Sequence, residues 1–461
     1  MKRQWDSQTL FLIWVVTALA VAYFHEPWRD EAQAWLVARS SASFWELLVR
    51  ASIEATGPLY YLILWGPAQA FPALFPQLIF LFSFLGAALF VRDFSRSSFV
   101  PLGWRWAIVL GFMFGYEYAV VARLYGWGCF FFWRGIITDR QNSAKAPYWF
   151  ALACLTQLSF FVAILGWLTH RLLHSYRLAS WKAYWPLAIA VSLMLAHGTL
   201  GAHHRNWAWV QWHEWMPLLR AFGTAVATPF VHGPKLAVSG VVVLIAALLP
   251  LSARARFALI VSMSAFIFIF VFRYHGTPSV RHGGAIFLLW IALVAAQPAL
   301  SRISVRLAYI LLAVNFITGL GMRAQEVLYP FGHAQAAANA VEERTKQLAK
   351  PIRIYVDKGE NGLTLAALLN TDPWTRGQAW GCPFFAGSCT PPPPLLDGDV
   401  QAGVSRCAET HLCLYATGIF DKPDENSDGE WLPLYKPLQP ALRESLSLYE
   451  FVPRTPVPKD K

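Results

Sequence analysis

Residues Leu10 to Trp35 read LFLIWVVTALAVAYFHEPWRDEAQAW. An almost unbroken apolar run, Leu10 to Phe24, ends abruptly in a cluster of charge. A helix needs about 20 residues to cross the hydrocarbon core of a bilayer, so Leu10 to Phe24 and the residues before it reach that length. Ionised side chains are costly inside lipid, so the chain leaves the membrane at His25. Asp30 and Glu31 stand side by side just beyond, with His25, Glu26 and Arg29 close by. Such a cluster is either the capped start of an interfacial helix, where acidic residues suit the first turn, or a pair of carboxylates placed for proton transfer or ligand positioning. Spacing alone leaves both readings open.

The pattern repeats along the chain. Apolar runs of roughly 14 to 22 residues, the length regime of membrane spans, include Gln77 to Val91, Ala107 to Val121, Leu236 to Leu251, Phe257 to Phe272, Ala285 to Ala296 and Leu307 to Leu320. Of 461 residues, 56% are hydrophobic and only 14% charged, where a soluble domain carries about 25% charge. A soluble core cannot hold so many such runs in series. The expectation is an all-α polytopic membrane protein with about 11 to 13 helices. The first run follows Lys2 and Arg3, but no small-residue cleavage site with polar sequence behind it is present. It therefore reads as a retained anchor. The net charge of +11 reflects basic loops between spans and contact with membrane lipid. No basic helix or basic-aromatic sheet motif points to nucleic acid.

Basic residues gather in short loops at Lys2/Arg3, Arg92/Arg96/Arg105, Arg134/Arg140/Lys145, Arg171/Arg177/Lys182, Arg254/Arg256 and Arg302/Arg306. The positive-inside rule puts these in the cytoplasm. His25 to Gly57, Tyr116 to Arg123, Gly201 to Arg220, Arg273 to Gly284 and everything after Met322 then face outward. Residues 58 to 76, with four prolines, and 147 to 170, with Thr156, Gln157 and Ser159 at the centre, do not fit simple spans. They read as broken or short paired helices, tolerated where protein covers the freed backbone groups. Ala34 to Leu48 has the mixture expected of an interfacial amphipathic helix.

After Met322 the composition changes. Residues 1–322 read as the membrane domain and 323–461 as a small mixed α/β domain outside the cytoplasm, entered through a strand at Ile352 to Val356. Cys382, Cys389, Cys407 and Cys413 lie there, and an oxidising compartment favours two disulfides with three possible pairings. Zinc is the competing reading, although Cys-x6-Cys and Cys-x5-Cys are poor zinc spacings. Cys129 and Cys154 read as small apolar residues of the membrane part.

Further polar groups collect at the outward turns. Glu54 and Tyr60 flank a segment that re-enters the membrane. Glu117, Arg123 and Tyr125 share the next turn, where Glu117 and Arg123 can pair, or Arg123 can hold a phosphate through a planar guanidinium. His204 and His213 sit in a tryptophan-rich stretch suited to interface anchoring, to a sugar platform or to a metal, without clean ligand spacing. Arg273, Arg281 and His282 surround the start of a helix beginning Gly283-Gly284, a setting that suits phosphate. Acids and arginines on one side of a membrane describe transfer from a lipid-linked phosphate donor to an acceptor.

The order of features resembles the integral-membrane glycosyltransferases of the GT-C superfamily, which includes protein O-mannosyltransferases and aminoarabinose lipid A transferases. The resemblance rests on RDEAQAWLVAR (29–39), ATGPLYYLILW (55–65), YAVVARLYGWG (118–128) and, more loosely, RYHGTPSVRHGG (273–284), and covers roughly residues 8 to 322. It looks closest to bacterial members that begin HEPWRDEAQAW. It implies a multi-pass protein of the bacterial cytoplasmic membrane with its N-terminus inside. It implies a polyprenyl-phosphate sugar donor, a glycan, lipid or protein acceptor, and inversion at the anomeric carbon, with a divalent metal in some members. By the same resemblance Asp30 is the catalytic carboxylate, Glu31 its acidic neighbour and Arg123 the arginine of an Arg-x-Tyr element. Two departures stand out. Ala55-Thr56-Gly57-Pro58 replaces the frequent Gly-His-Pro-Pro, and Thr156-Gln157 replaces Thr-His or Thr-Lys. The competing classes are a transporter or flippase for a lipid-linked glycan, which would carry acids in helix centres, and a noncatalytic envelope assembly protein.

Overall fold

The computed structural model describes residues 2–52, 56–174, 181–202, 222–227, 229–230, 239–273, 280–298, 300–329, 332–356, 363–371, 373–375, 407–408, 410–417, 429–437 and 446–453. The chain forms two compact units. The first takes Met1–Tyr23, Ser52–Tyr60 and Phe80–Gln325; the second takes Phe24–Ala51, Tyr61–Ile79 and Glu326–Lys461.

The first helices are α1 (Lys2–Phe24), α2 (Arg29–Ser40), α3 (Phe44–Ala51), α4 (Pro58–Ala70), α5 (Phe75–Ser95), α6 (Leu102–Val109), α7 (Tyr125–Arg140), α8 (Ala146–Thr156) and α9 (Leu158–Leu173). Among the described residues four helical segments are long and apolar enough to cross a membrane: Trp5–Phe24, Pro72–Ser95, Ala253–Phe270 and Arg302–Leu328. Shorter apolar helices cover Ala146–Thr156, Leu158–Leu173 and Arg281–Ala295. These segments make the chain a multi-pass membrane protein.

Helix α1 shows why. It lacks glycine and proline, and Leu10, Trp14, Ala18 and Val21 form a buried stripe at helical spacing. Its other face is also apolar, with Leu12, Val16 and Leu19 exposed. A helix that is hydrophobic all round belongs in lipid. The Arg302–Leu328 helix repeats the pattern: Ile303, Ile310 and Ile317, one heptad apart, are 69%, 58% and 66% exposed. Trp14 fixes α1 in its unit, because its indole Nε1–H donates to the Phe114 carbonyl at 2.8 Å.

The two awkward stretches are indeed interrupted. Helix α4 contains Pro67 and is followed by a short 3-10 turn, Pro72–Leu74. Between α8 and α9 Gln157 is extended, with φ −160° and ψ 140°. An interruption at membrane depth frees backbone groups that need partners. Residues 56–57 supply them: Thr56 bridges Gln157 in antiparallel fashion, and the Gly57 N–H donates to the Thr156 carbonyl at 2.9 Å. A Cβ at Gly57 would run into the Leu155 carbonyl, so the close approach requires glycine.

The run Ala107 to Val121 is apolar but not one helix. Helix α6 ends at Val109 and a π-helical turn follows at Met113–Glu117. The Arg323 side chain donates to the Leu110 carbonyl and so satisfies an acceptor released by that ending. The interfacial stretch also divides: the expected Ala34 to Leu48 helix is the end of α2 and most of α3, separated at Ser41 to Ser43. The Ser41 hydroxyl donates back to the Val37 carbonyl at 2.7 Å, a local bond of the kind that competes with helix continuation.

The C-terminal part holds a five-stranded sheet in the order β2-β1-β3-β5-β4. Its strands are β1 (Ile352–Val356), β2 (Pro373–Thr375), β3 (Leu412–Thr417), β4 (Gly429–Tyr435) and β5 (Ser447–Pro453). Strand β1 runs parallel to β2 and β3, while β5 is antiparallel to β3 and β4. Ile354, Leu414, Ala416 and Leu448 share a core with Ala337 and Val341 of the helix Ala334–Leu348 and with Leu365 of the helix Leu363–Leu368. This is the expected mixed α/β domain, with the expected strand as β1. Arg344 clamps β5 by a two-pronged pair with Glu450, at 2.8 and 3.0 Å. A disulfide joins Cys407 and Cys413; Cys382 and Cys389 lie outside the described residues. Cys129 and Cys154 are free and buried.

A buried ion pair in the first unit joins α7 to α9. Asp139 pairs with Arg171 at 2.8 Å, and the Trp167 Nε1–H donates to the same carboxylate at 2.9 Å. Removing one partner leaves a buried charge uncompensated, which costs about 3–5 kcal/mol. Asp139→Ala is therefore expected to unfold well below wild type in detergent. A thermal midpoint within one degree of wild type would refute this account of the pair.

Candidate functional site

In the second unit, the charged stretch after α1 forms a buried cluster. His25 Nδ1 lies 2.8 Å from Glu326 Oε1, and its Nε2 lies 3.3 Å from Glu31 Oε1. Both ring nitrogens face carboxylate oxygens, and an imidazole can donate from both only when protonated. Burial opposes that charge, but Glu31 and then Glu326 outweigh it and raise the His25 pKa to about 10. The other oxygen of Glu31 accepts the Trp28 backbone N–H at 3.1 Å. Glu31 thus reaches back to the residue before α2, as the third helical residue does in a capping box. It is 1% exposed.

Asp30, one residue earlier in the first turn of α2, is half-buried. Adjacent helical residues point about 100° apart, so the two acids have different surroundings: Glu31 is locked into the turn, while Asp30 retains access to solvent. Glu26 completes the group. Burial raises its pKa, His25 lowers it, Glu326 raises it again, and the net value is about 7. Its Oε2 is buried with no hydrogen-bond partner among the described residues. The far end of α2 is tied down as well. Arg39 donates to the Asn370 side chain at 3.0 Å and to the Thr371 carbonyl at 3.1 Å.

The first unit contains a second constellation. The π-helical turn Met113–Glu117 ends on Glu117, which is 2% exposed and pairs with Arg281 at 3.4 Å. Tyr118 follows, and its hydroxyl donates to the Arg281 carbonyl. The Tyr118 ring stacks on Tyr125 with centroids 5.0 Å apart. His282 stacks on Phe270 at 4.7 Å and meets the edge of Tyr125 at 6.3 Å. Arg123, 7% exposed, lies six residues beyond that turn, just before α7. The Tyr60 hydroxyl donates to the Ala122 carbonyl at 3.0 Å and holds the backbone beside Arg123. A second π-helical turn, Phe268–Arg273, ends on Arg273. Such turns insert an extra residue in a helix and recur at functional sites.

Glu117, Tyr125, Arg281 and His282 come together. Glu117 takes Arg281 as a partner, a pairing across 164 positions that spacing could not suggest. Gly284 has a steric reason: a Cβ there would collide with the Tyr118 hydroxyl, so the glycine admits a tyrosine to the start of the Val280–Ala295 helix. Glu54, His204 and His213 lie outside the described residues, as does the side chain of Arg273. Two participants escaped the sequence reading. Glu26 and Glu326 carry little sequence signal; that of Glu326 is an acid in the last turn of an otherwise apolar helix. Among the described residues no three His, Cys, Asp or Glu side chains converge as metal ligands.

The shifts of Glu26 and His25 act on stability with the same sign. The Glu26 pKa rises from its ordinary 4.5 and that of His25 from its ordinary 6.5, so the folded protein holds each proton more tightly than the unfolded chain. The Glu26 contribution is complete below about pH 4.5 and is lost as pH rises through about 7; that of His25 is complete below about 6.5 and is lost through about 10. The thermal midpoint in detergent is expected to fall between pH 5 and 10. Glu26→Gln should flatten the lower part of that decline and His25→Gln the upper part. A wild-type midpoint that climbs toward pH 9 would refute these assignments.

No family model matches this chain, and no curated protein sequence matches it. Solved structures do. The crystal structure of ArnT from Cupriavidus metallidurans in the apo state superposes with a TM-score of 0.53 at 13% sequence identity, covering 95% of this chain and 97% of that one. The crystal structure of the same protein bound to undecaprenyl phosphate gives 0.49 at 13% identity over the same shares. The likeness spans membrane helices and C-terminal domain together, and the chain has the GT-C-like fold of apo ArnT.

Proposed function

We propose that this protein is an inverting glycosyltransferase of the bacterial cytoplasmic membrane. It moves a sugar from a polyprenyl-phosphate donor to a hydroxyl of a glycan, lipid or protein acceptor on the outer side. The observation that carries this reading is the GT-C-like fold over 95% of the chain, combined with an acidic pair in the first turn after the first membrane helix. The distribution of basic loops supports an inward N-terminus and an outward acidic face.

The mechanism is a single displacement. Asp30 takes the proton of the acceptor hydroxyl. The resulting oxygen attacks the anomeric carbon from the face opposite the phosphate. The carbon–oxygen bond to phosphate breaks, its electron pair leaves with polyprenyl phosphate, and the anomeric configuration inverts. Arg123 and Arg281 offset the charge that develops on the departing phosphate, with Arg273 and His282 in the same role; fixed donors aimed at developing charge are an effective form of stabilisation. Glu31 is a positioning residue. Its oxygens are engaged by the Trp28 N–H and by His25, which supports a role in holding the turn and leaves Asp30 as the proton acceptor.

Purified protein supplied with a panel of polyprenyl-phosphate sugars, with and without divalent cation, tests this directly. Asp30→Asn is expected to insert and fold normally yet to lose transfer by about 100-fold or more, the scale of general-base contributions. Full transfer by Asp30→Asn would overturn the mechanism. Arg281→Lys keeps the charge but loses the planar fork, and it should lower kcat more than it raises KM for the donor. An unchanged kcat would remove Arg281 from leaving-group stabilisation.

A further inference from the structure

Two of the basic loops meet in one place within the first unit. A cavity of about 570 Å³ is lined by Arg92, Asp93, Arg96, Arg134, Arg140 and the turn Ser97–Phe99, with Ile137 and Gln141 beside them. It lies where α5 ends its membrane-crossing segment and α7 ends. Four arginines share it with one aspartate. Asp93 is 8% exposed and pairs with Arg134 at 2.9 Å and with Arg92 at 3.5 Å. Arg140 is held differently, its guanidinium 4.4 Å above the Phe99 ring. Arg96 is exposed, with no carboxylate partner among the described residues. Ser97 is fully used: it donates to the Asp93 carbonyl at 3.0 Å and accepts the Trp133 indole N–H at 2.8 Å.

Arginines at a bilayer rim ordinarily spread and snorkel, each finding its own water or lipid. These four instead converge on a shared volume, and three are oriented, Arg92 and Arg134 by a buried carboxylate and Arg140 by an aromatic face. Gathering like charge around a cavity is unfavourable unless an anion offsets it. The volume falls within the range of small-ligand sites, about 300–1,000 Å³. Guanidinium groups match phosphate oxygens in geometry and bind them two-pronged. Basic pockets between membrane helices on the inner side are suited to anionic head groups.

We infer that this cavity is a binding site for a phosphate group, carried by an acidic phospholipid of the adjoining leaflet or by a small phosphate ester in solution. It is independent of the proposed transfer chemistry, since none of its residues takes part in that reaction.

The test uses the full chain purified in detergent. In one arm, retention of phosphatidylglycerol against phosphatidylcholine is counted by native mass spectrometry. In the other, inorganic phosphate and glycerol phosphate are titrated while thermal stability is followed. The variants are Arg96→Gln/Arg140→Gln, both exposed and outside the buried core, and Arg302→Gln/Arg306→Gln, which removes the same charge from a different basic loop. Wild type and the Arg302/Arg306 variant are expected to bind alike, and the Arg96/Arg140 variant about tenfold or more weakly. Loss in the lipid arm identifies a headgroup site; loss in the soluble arm alone identifies a site for a phosphate ester from solution. Equal weakening by both double variants, or no variant-sensitive binding in either arm, would overturn the inference.

Discussion

His25 sits between two carboxylates that are 295 residues apart in sequence. Glu31 opens α2, Glu326 ends the last long apolar helix, and the imidazole lies within 3.3 Å of both. Most of what is distinctive in the second unit depends on this contact. Two buried carboxylates facing each other without a cation would repel and would each be costly to desolvate. A protonated imidazole between them removes both problems and fixes three chain segments at once: the exit from α1, the first turn of α2 and the end of the Arg302–Leu328 helix. Because Glu31 also accepts the Trp28 N–H, the start of α2 is held from two sides. Asp30 inherits its position from that arrangement. The partial burial of Asp30 and the full burial of Glu31 are two consequences of one helical turn anchored by one histidine.

The first unit solves a related problem with backbone. Its apolar runs are long enough to suggest uninterrupted helices, yet several are broken, and each described break comes with its own compensation. Thr56 and Gly57 supply backbone partners beside Gln157. Arg323 answers the Leu110 carbonyl where α6 stops. The π-helical turn at Met113–Glu117 rotates the residues beyond it out of simple helical phase, which brings Glu117 to Arg281 and Tyr118 into the space left by Gly284. Broken helices give a membrane protein what a soluble enzyme obtains from loops: side chains that need not follow a 3.6-residue period.

That contrast explains what could be read from the sequence. The membrane class, the interrupted stretches near residues 58–76 and 147–170, the strand at Ile352–Val356 and a small mixed domain were legible, because hydropathy and proline content respond to local physics. The pairing of Glu117 with Arg281 and of His25 with Glu326 was not, because nothing in a linear pattern ties charges so distant in sequence. Glu326 was hidden by its own context, a lone acid at the end of an apolar helix that reads as a helix terminus. Ala107 to Val121 misled for the opposite reason: composition records apolarity but not the glycines and long-range arginine that allow a helix to stop. The recruitment of Phe24–Ala51 and Tyr61–Ile79 into the same compact unit as the C-terminal residues is likewise a property of contacts and not of composition.

Two arginine settings contrast, and the difference bears on what each can do. Arg171 and Arg281 are buried against a carboxylate. A pair of that sort is close to neutral, so its first effect is to fix geometry. For Arg281 this is compatible with phosphate chemistry: a guanidinium carries five donors in a rigid plane, and Glu117 engages it through Nε, which sets the plane without discharging the cation. In the proposed reaction, a phosphate arriving there would meet an oriented group whose attraction is moderated by Glu117, a setting suited to a product that must also leave. The arginines around the 570 Å³ cavity differ, because one aspartate cannot balance four of them. Their surplus charge favours retention of an anion over its release. The same residue type thus reads as a leaving-group partner where its charge is matched and as a resident binding site where it is not.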